Sequence, residues 1–441
     1  MERLPYSING RVGGVYYDKK TPEVVYRGIN PYYEPWAKEL LKCGLIDELV
    51  KKRFFPKTKI SKQKIDGYNL VLEHEAISPI TYHEEWTDEM YRASAIFILK
   101  VNQIANQYRF ELDDPHGGNV VFHYHKPIYL DLGSFYPLID VANRPNISNF
   151  HRKDYFLQLV LPRLESAHRA NMTTLPRCLW DAKLFFIRVM LALHRRMKIY
   201  IFGYEKIANK IARLRYKTLY QRLEKKLLSY NFSAKSVWGD YQTTKTIKDK
   251  TIHQKDGRMQ WILNAIKPLK INSLLDLAGN QGDKVRFFAK KLNIPNVMCV
   301  DYDKAAIDKY FLNAQHDDRM TIAAFDITKS LFPACDITER LRSDMVLAMA
   351  LTHHLLISQQ LAPEVMFKIF AAYSKKYLIV EFMPLGLWNG FYQPPLPDWC
   401  KETYNQVWFE KHLKKYFDII KMAETAPNRI TYLAKLKKQI A

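Results

Sequence analysis

Three aspartates, each closing a short apolar run, carry the clearest chemistry in this sequence. "SLLDLAGNQGDK" places Asp276 at the end of such a run, followed by a turn of small residues that includes Ala278, Gly279, Asn280 and Gly282. "NVMCVDYD" places Asp301 at the end of the next run, and "MTIAAFD" does the same with Asp326. A carboxylate at Asp276 can accept from a ligand's ammonium group, one at Asp301 suits the two hydroxyls of a ribose, and one at Asp326 can sit beside the amino group of a base. Small residues in the turn let a ligand approach the backbone closely. The helix that follows the turn offers its N-terminus to a carboxylate or phosphate.

Further on, "DMVLAMALTHHLLI" begins a fourth run with Asp344 and ends in Thr352, His353 and His354. Asp344 completes the expected cofactor set. A histidine beyond a strand end can take a proton from an attacking hydroxyl or amine, because its unperturbed pKa lies near neutrality. Equally, one histidine can pack into the loop while the other is solvated. Glu381, ending "KYLIVEFM", is a second candidate base or a bracket for the neighbouring loop. Trp238 and Tyr241 can form a lid or simply pack.

The first half holds a separate constellation. In "LDDPHGGNVVFHYHKPIYLDLGSF", Asn119 follows Asp114 by five residues, and a strand separates both from Asp131. Phosphoryl transfer needs a carboxylate near the acceptor hydroxyl, an Asn and an Asp on magnesium, and a cation on the phosphates. Asp114 fits the first need, and Asn119 and Asp131 the second. Arg27, in "EVVYRGI", stands where a phosphate-binding lysine is expected, with Glu34 or Glu39 as its possible partner. Arginine keeps the charge but binds as a planar fork.

These residues need scaffolds. "GGVYYDKKTPEVVYRGI" reads as a hairpin and "YNLVLEHEAI" as a strand. A helix should start at Thr87, with Asp88 and Glu89 in its first turn, and present Met90, Phe97, Val101, Ile104 and Tyr108 on one face. "DYFLQLVLPRL" and "CLWDAKLFFIRVMLALHRRM" read as helical, and residues 204–230 as a basic helical connector. From about residue 236, short apolar strands alternate with helical segments, which implies a parallel sheet covered on both faces.

The second half resembles the class I S-adenosylmethionine-dependent methyltransferases, and most closely their nodulation-protein-like branch. That branch has a cofactor turn of the form Asp-Leu-Gly-x-Asn-x-Gly. In "DLAGNQG", Asp276, Asn280 and Gly282 match, and Ala278 replaces the usual glycine. A nicotinamide-binding turn would read G-x-G-x-x-G, which is absent here. The resemblance implies a Rossmann-like doubly wound sheet, S-adenosylmethionine as cofactor and a glycan or glycoconjugate acceptor. The first half resembles small-molecule and sugar kinases or their pseudokinase relatives, which implies an α+β kinase-like domain that uses ATP and Mg. Phosphotransfer, nucleotide or metal binding without turnover, and a purely structural fold are all compatible with it.

The expected organisation is therefore α/β: a kinase-like domain over 1–235 and a methyltransferase domain over 236–441. The 441 residues are 48% hydrophobic, enough to build real cores. A formal net charge of +22 favours anionic partners, either an anionic or glycan acceptor or nucleic acid. None of the five cysteines forms a Cys-x-x-Cys pair, which argues against a zinc ribbon or a secreted disulfide framework. "MERLPYSING" has no apolar signal core, and "LFFIRVMLALH" is too short to span a bilayer, so a cytoplasmic location is expected. The main expectation is methyl transfer to an O or N of an anionic or sugar-containing acceptor. The alternatives are a bifunctional kinase–methyltransferase acting on a saccharide end, an RNA methyltransferase and an inactive binding scaffold.

Overall fold

A computed structural model describes residues 1–4, 12–137, 163, 164, 166, 220–232, 236, 256–313, 320–328, 337–388 and 390–438. Trp238, Tyr241, most of the basic connector and, apart from Arg163 and Leu164, the two apolar segments expected to be helical after residue 153 lie outside these residues.

The first half opens with a mainly antiparallel sheet in the order β1-β2-β3-β5-β4, built from β1 (Glu2–Arg3), β2 (Val15–Tyr17), β3 (Val24–Ile29), β4 (Thr58–Ile60) and β5 (Leu70–Glu75). The expected hairpin is β2–β3, and Arg27 lies in β3. Helices α1 (Glu34–Lys42) and α2 (Leu45–Lys51) connect β3 to β4. Helix α3 (Asp88–Gln107) begins as its sequence dictates, with the Thr87 side chain accepting from the amide of Met90. It buries Met90, Phe97 and Val101. Two small sheets accompany α3: β6 (Ile80–Thr81), β8 (Val120–His123) and β9 (Lys126–Tyr129) form one, and β7 (Phe110–Leu112) pairs with β10 (Phe135–Pro137) in the other.

The second half is a seven-stranded sheet. Its strands are β11 (Ser273–Leu277), β12 (Asn296–Asp301), β13 (Met320–Ala324), β14 (Ser343–Ala348), β15 (Ser374–Phe382), β16 (Phe417–Ala426) and β17 (Arg429–Leu436), in the order β13-β12-β11-β14-β15-β17-β16. The first five run parallel, and β17 is antiparallel to both its neighbours. The helices are α4 (Gly257–Ile266), α5 (Asp283–Leu292), α6 (Lys304–Asn313), α7 (Ile337–Leu341), α8 (Pro363–Tyr373) and α9 (Gln406–Tyr416). Successive strand residues enter different cores: Leu274 and Val297 face one, Leu275 and Met298 the other. Side chains alternate along a strand, so both faces of the sheet are covered.

One of those cores is shared between the halves, running from Ile29 and Trp86 through Phe122 to Phe311 and Leu433. Phe122 meets Phe311 edge to face, with ring centroids 5.7 Å apart. The strongest polar tie is Arg340 on α7. It donates to the carbonyl of Ile80 at 2.8 Å, forks onto the buried carboxylate of Glu85 and stacks over Tyr82. Burial pushes the pKa of Glu85 up more than Arg340 pulls it down, so desolvation is the larger effect at this pair. Asp308 of α6 lies against Thr87 and the backbone of Glu89 at the start of α3, and burial pushes its pKa to about 7.

Removing one partner of a buried pair leaves the other charge uncompensated. Arg340→Ala is therefore expected to cost ~3–5 kcal/mol of unfolding free energy, read from urea titrations, with Glu85→Gln recovering part of it. A cost under ~1 kcal/mol would mean that solvent screens the pair as it does on a surface.

Candidate functional site

Strand order reverses between β11 and β14, and crevices at such reversals open outside the carboxyl ends of the strands. The turn after β11 lines this crevice. Ala278, Asn280 and Gly282 all take left-handed backbone, with φ of 62°, 53° and 72°. Asparagine and glycine tolerate that region, whereas at alanine it costs roughly 1–2 kcal/mol. Gly279 is required for space, because a Cβ there would lie 2.6 Å from Cys299 Sγ and 2.9 Å from the Asp276 carboxyl carbon. The amide of Asn280 donates to Asp301 Oδ2 at 2.8 Å, which ties the turn to the end of β12.

Asp301 thus holds one backbone donor on Oδ2 and another, from Asp303, on Oδ1 at 2.9 Å. Both oxygens keep lone-pair capacity. Asp276 is buried, and its Oδ2 has no hydrogen-bond partner. Burial pushes its pKa up to about 7, with nearby Lys284 opposing and Asp301 and Glu381 adding. An orphaned buried carboxylate oxygen needs a donor. Asp326 stands two residues beyond β13 and accepts from the amide and hydroxyl of Thr328 at 2.9 and 2.7 Å. Asp276, Asp301 and Asp326 therefore lie along the carboxyl edge of three neighbouring strands.

Asp344 does not join them. It lies at the amino end of β14, where it accepts from the amide of Asn272 at 2.8 Å and pairs with Lys376 at 3.1 Å. Its assignment to cofactor binding is corrected: the residue braces the opposite edge of the sheet.

Beyond β14, the rings of His353 and His354 stack with centroids 4.1 Å apart. Burial, with His354 and Arg429 adding, pushes His353 down to about 3, and its buried Nδ1 has no partner. His354 is partly buried, and burial lowers its pKa as well. Glu381 is fully buried. It accepts from Arg258 Nη1 at 3.3 Å, Arg429 Nη1 at 3.0 Å and the amide of Ala350 at 2.7 Å. With its oxygens taken by two guanidinium groups and a backbone amide, Glu381 fits the bracket role of the two that its sequence offered, and not that of a base. Sequence reasoning missed Arg258, Arg429 and Lys284, which no motif joins. Lys284 lies in the first turn of α5, partly buried and close enough to Asp276 to lower its pKa.

In the first half, Arg27 Nη1 reaches Asp131 Oδ1 at 3.4 Å. Asn119 donates to the carbonyl of Asp114 at 2.7 Å. His116 Nδ1 accepts from the amide of Gly118, so its Nε2 carries the proton and donates to Asp114 Oδ2 at 3.0 Å. Glu34 pairs with Lys38 at 2.6 Å, one helical turn on. Among the described residues, no group of three or more His, Cys, Asp or Glu side chains could hold a metal ion. No described helix is long and apolar enough to cross a membrane.

No family model matches the chain. It is 23% identical over 347 residues to nodulation protein NoeA of Rhizobium meliloti (strain 1021), which covers 71% of each chain. Among solved structures it is similar to a SAM dependent methyltransferase from Aquifex aeolicus, with 13% identity, a TM-score of 0.34 and coverage of 44% of this chain and 96% of that one. It is also similar to N-methyltransferase NodS from Bradyrhizobium japonicum WM9 in complex with S-adenosyl-l-homocysteine, with 10% identity, a TM-score of 0.32 and coverage of 43% and 90%.

The strain at Ala278 is testable. Ala278→Gly is expected to raise thermal stability by up to ~1 kcal/mol, the relief at φ > 0 exceeding the added freedom of the unfolded chain. A clear loss in a thermal melt would show that the methyl group packs favourably there.

Proposed function

We propose that the chain transfers a methyl group from S-adenosylmethionine to an oxygen or nitrogen of an anionic or sugar-containing acceptor. The observation that carries this reading is the row of Asp276, Asp301 and Asp326 at the carboxyl ends of three neighbouring parallel strands. The residues fit the ligand. Asp276 has a buried oxygen short of a donor, as an ammonium group requires. Asp301 has spare acceptor capacity on both oxygens, as two ribose hydroxyls require. Arg258 and Lys284 offer cations for a carboxylate, and the exposed ring of Tyr302 adjoins Asp301 where a base can stack.

When bound, S-adenosylmethionine would supply an already activated methyl group, so the protein's tasks are alignment and proton removal. The crevice holds the ligand's polar groups at fixed strand ends. His354 is the better-placed base: burial keeps its imidazole neutral at neutral pH, and it is less enclosed than His353. Likeness to nodulation protein NoeA extends the proposal to a nodulation-related role.

A second reading draws on the pairing of Arg27 with Asp131. It joins two of the residues that the phosphotransfer pattern requires, although 104 positions separate them. On this reading Arg27 would hold a phosphate of ATP, Asn119 and Asp131 would hold Mg, and Asp114 would receive the acceptor's proton. The protein would then be bifunctional, phosphorylating a saccharide end as well as methylating it. Asp131→Asn would abolish ATP turnover; unchanged turnover would exclude this reading.

Binding of S-adenosylhomocysteine, measured by calorimetry, tests the main reading. Asp301→Ala is expected to weaken it by roughly tenfold or more, the loss of charge-assisted hydrogen bonds. Equal affinity would remove Asp301 from the site. The pH dependence follows from Asp276. An ammonium ligand favours its charged form, so binding is expected to release a proton and to tighten as pH rises through about 7. Asp276→Asn should flatten that profile. The sign for folding is opposite. Between the ordinary value of 3.8 and about 7 the folded state holds the extra proton, so Asp276 subtracts stability as pH rises through that window.

A further inference from the structure

We propose that Arg429 binds an oxyanion of the methyl acceptor, a carboxylate or a phosphate, close to the reacting atom; this rests on the methyltransferase reading above. A guanidinium group carries five N–H donors in a rigid fork. Arg429 directs Nη1 to Glu381, with Met383 Sδ at 3.4 Å from the same nitrogen. Its Nε and Nη2 make no hydrogen bond among the described residues. The side chain is 23% exposed. The open edge of such a fork matches the paired oxygens of a carboxylate or phosphate.

The surroundings divide the cations between two ligands. Lys284 is close to Asp276, and Arg258 donates to Glu381 at 3.3 Å. Arg429 approaches Glu381 from β17, at the hairpin beside the end of β15. Its charge is felt by His353, which lies beyond β14. The groups around it are Glu381, Arg258, Lys284 and His353. The carboxylates near these three cations are buried Glu381, Asp276 and the more distant Asp256, whose Oδ2 is 4.0 Å from Arg258. Glu381 then acts as a positioning residue that aims both arginines.

The test uses the full chain, radiolabelled S-adenosylmethionine and an acceptor fraction from cell extract, with calorimetry of S-adenosylhomocysteine alongside. Arg429→Gln is expected to raise the half-saturating amount of acceptor fraction by about tenfold or more, while cofactor affinity changes by less than about twofold. Arg429→Lys keeps the ion pair with Glu381 but loses the fork, and should fall between; it carries the test if the Gln variant fails to fold. Inorganic phosphate and acetate serve as competing probes. Stronger competition by phosphate identifies a phosphate-bearing acceptor, and competition by acetate at least as strong identifies a carboxylate. Competition by neither, or unchanged acceptor dependence in the variants, overturns the proposal. An equal loss of cofactor affinity in the Gln and Lys variants also overturns it, since Arg429 would then serve the cofactor. Absence of S-adenosylhomocysteine binding by the unaltered protein is a different failure, that of the methyltransferase reading itself.

Discussion

Between β11 and β14 the sheet begins to grow in the other direction, so the connections leaving these two neighbouring strands diverge. The space between those connections is the crevice, and its floor is the carboxyl edge of the strands. Whatever ends a strand here faces that space. Asp276 is the penultimate residue of β11, next to a turn so tight that Gly279 has no room for a side chain. The amide of Asn280 in that turn grips Asp301 at the end of β12. Two carboxylates from different strands are thus held in register by the turn between them.

That arrangement is electrostatically costly without a ligand. Asp276 is buried with one oxygen unpaired, and burial drives its pKa toward neutrality. Lys284 lies near Asp276, and Arg258 donates to Glu381, which also accepts from Arg429. Like charges held close at a half-buried place store unfavourable energy that a zwitterionic ligand can relieve. A ligand with both an ammonium and a carboxylate group complements this pattern. A site for a neutral molecule would have no need of it.

Much of the scaffold was legible. Strands buried on both faces read as continuous apolar runs, and the five runs quoted from the second half are β11 to β15. Asp276 and Asp301 were legible because each ends such a run before a turn. Asp344 misled because an acid at the start of a run looks much like one at its end, yet the two point to opposite edges of the sheet. Glu381 was correctly placed at the end of β15, but its role depends on Arg258 and Arg429, 123 and 48 positions away. Pairing across such separations leaves no local spacing to read. In the first half Arg27 meets Asp131, a contact the sequence did not suggest, and Glu34, one of the two acids expected to pair with Arg27, pairs instead with Lys38 on its own helix. A contact one helical turn away is cheaper to form than one between separate elements.

The most direct measurement is a crystal structure of the full chain grown with S-adenosylhomocysteine. The account requires the ligand's ammonium group against Asp276, its ribose hydroxyls on Asp301 and its base beside Tyr302 and Asp326. Density for the ligand elsewhere, or a crevice that stays empty at saturating ligand, would contradict it.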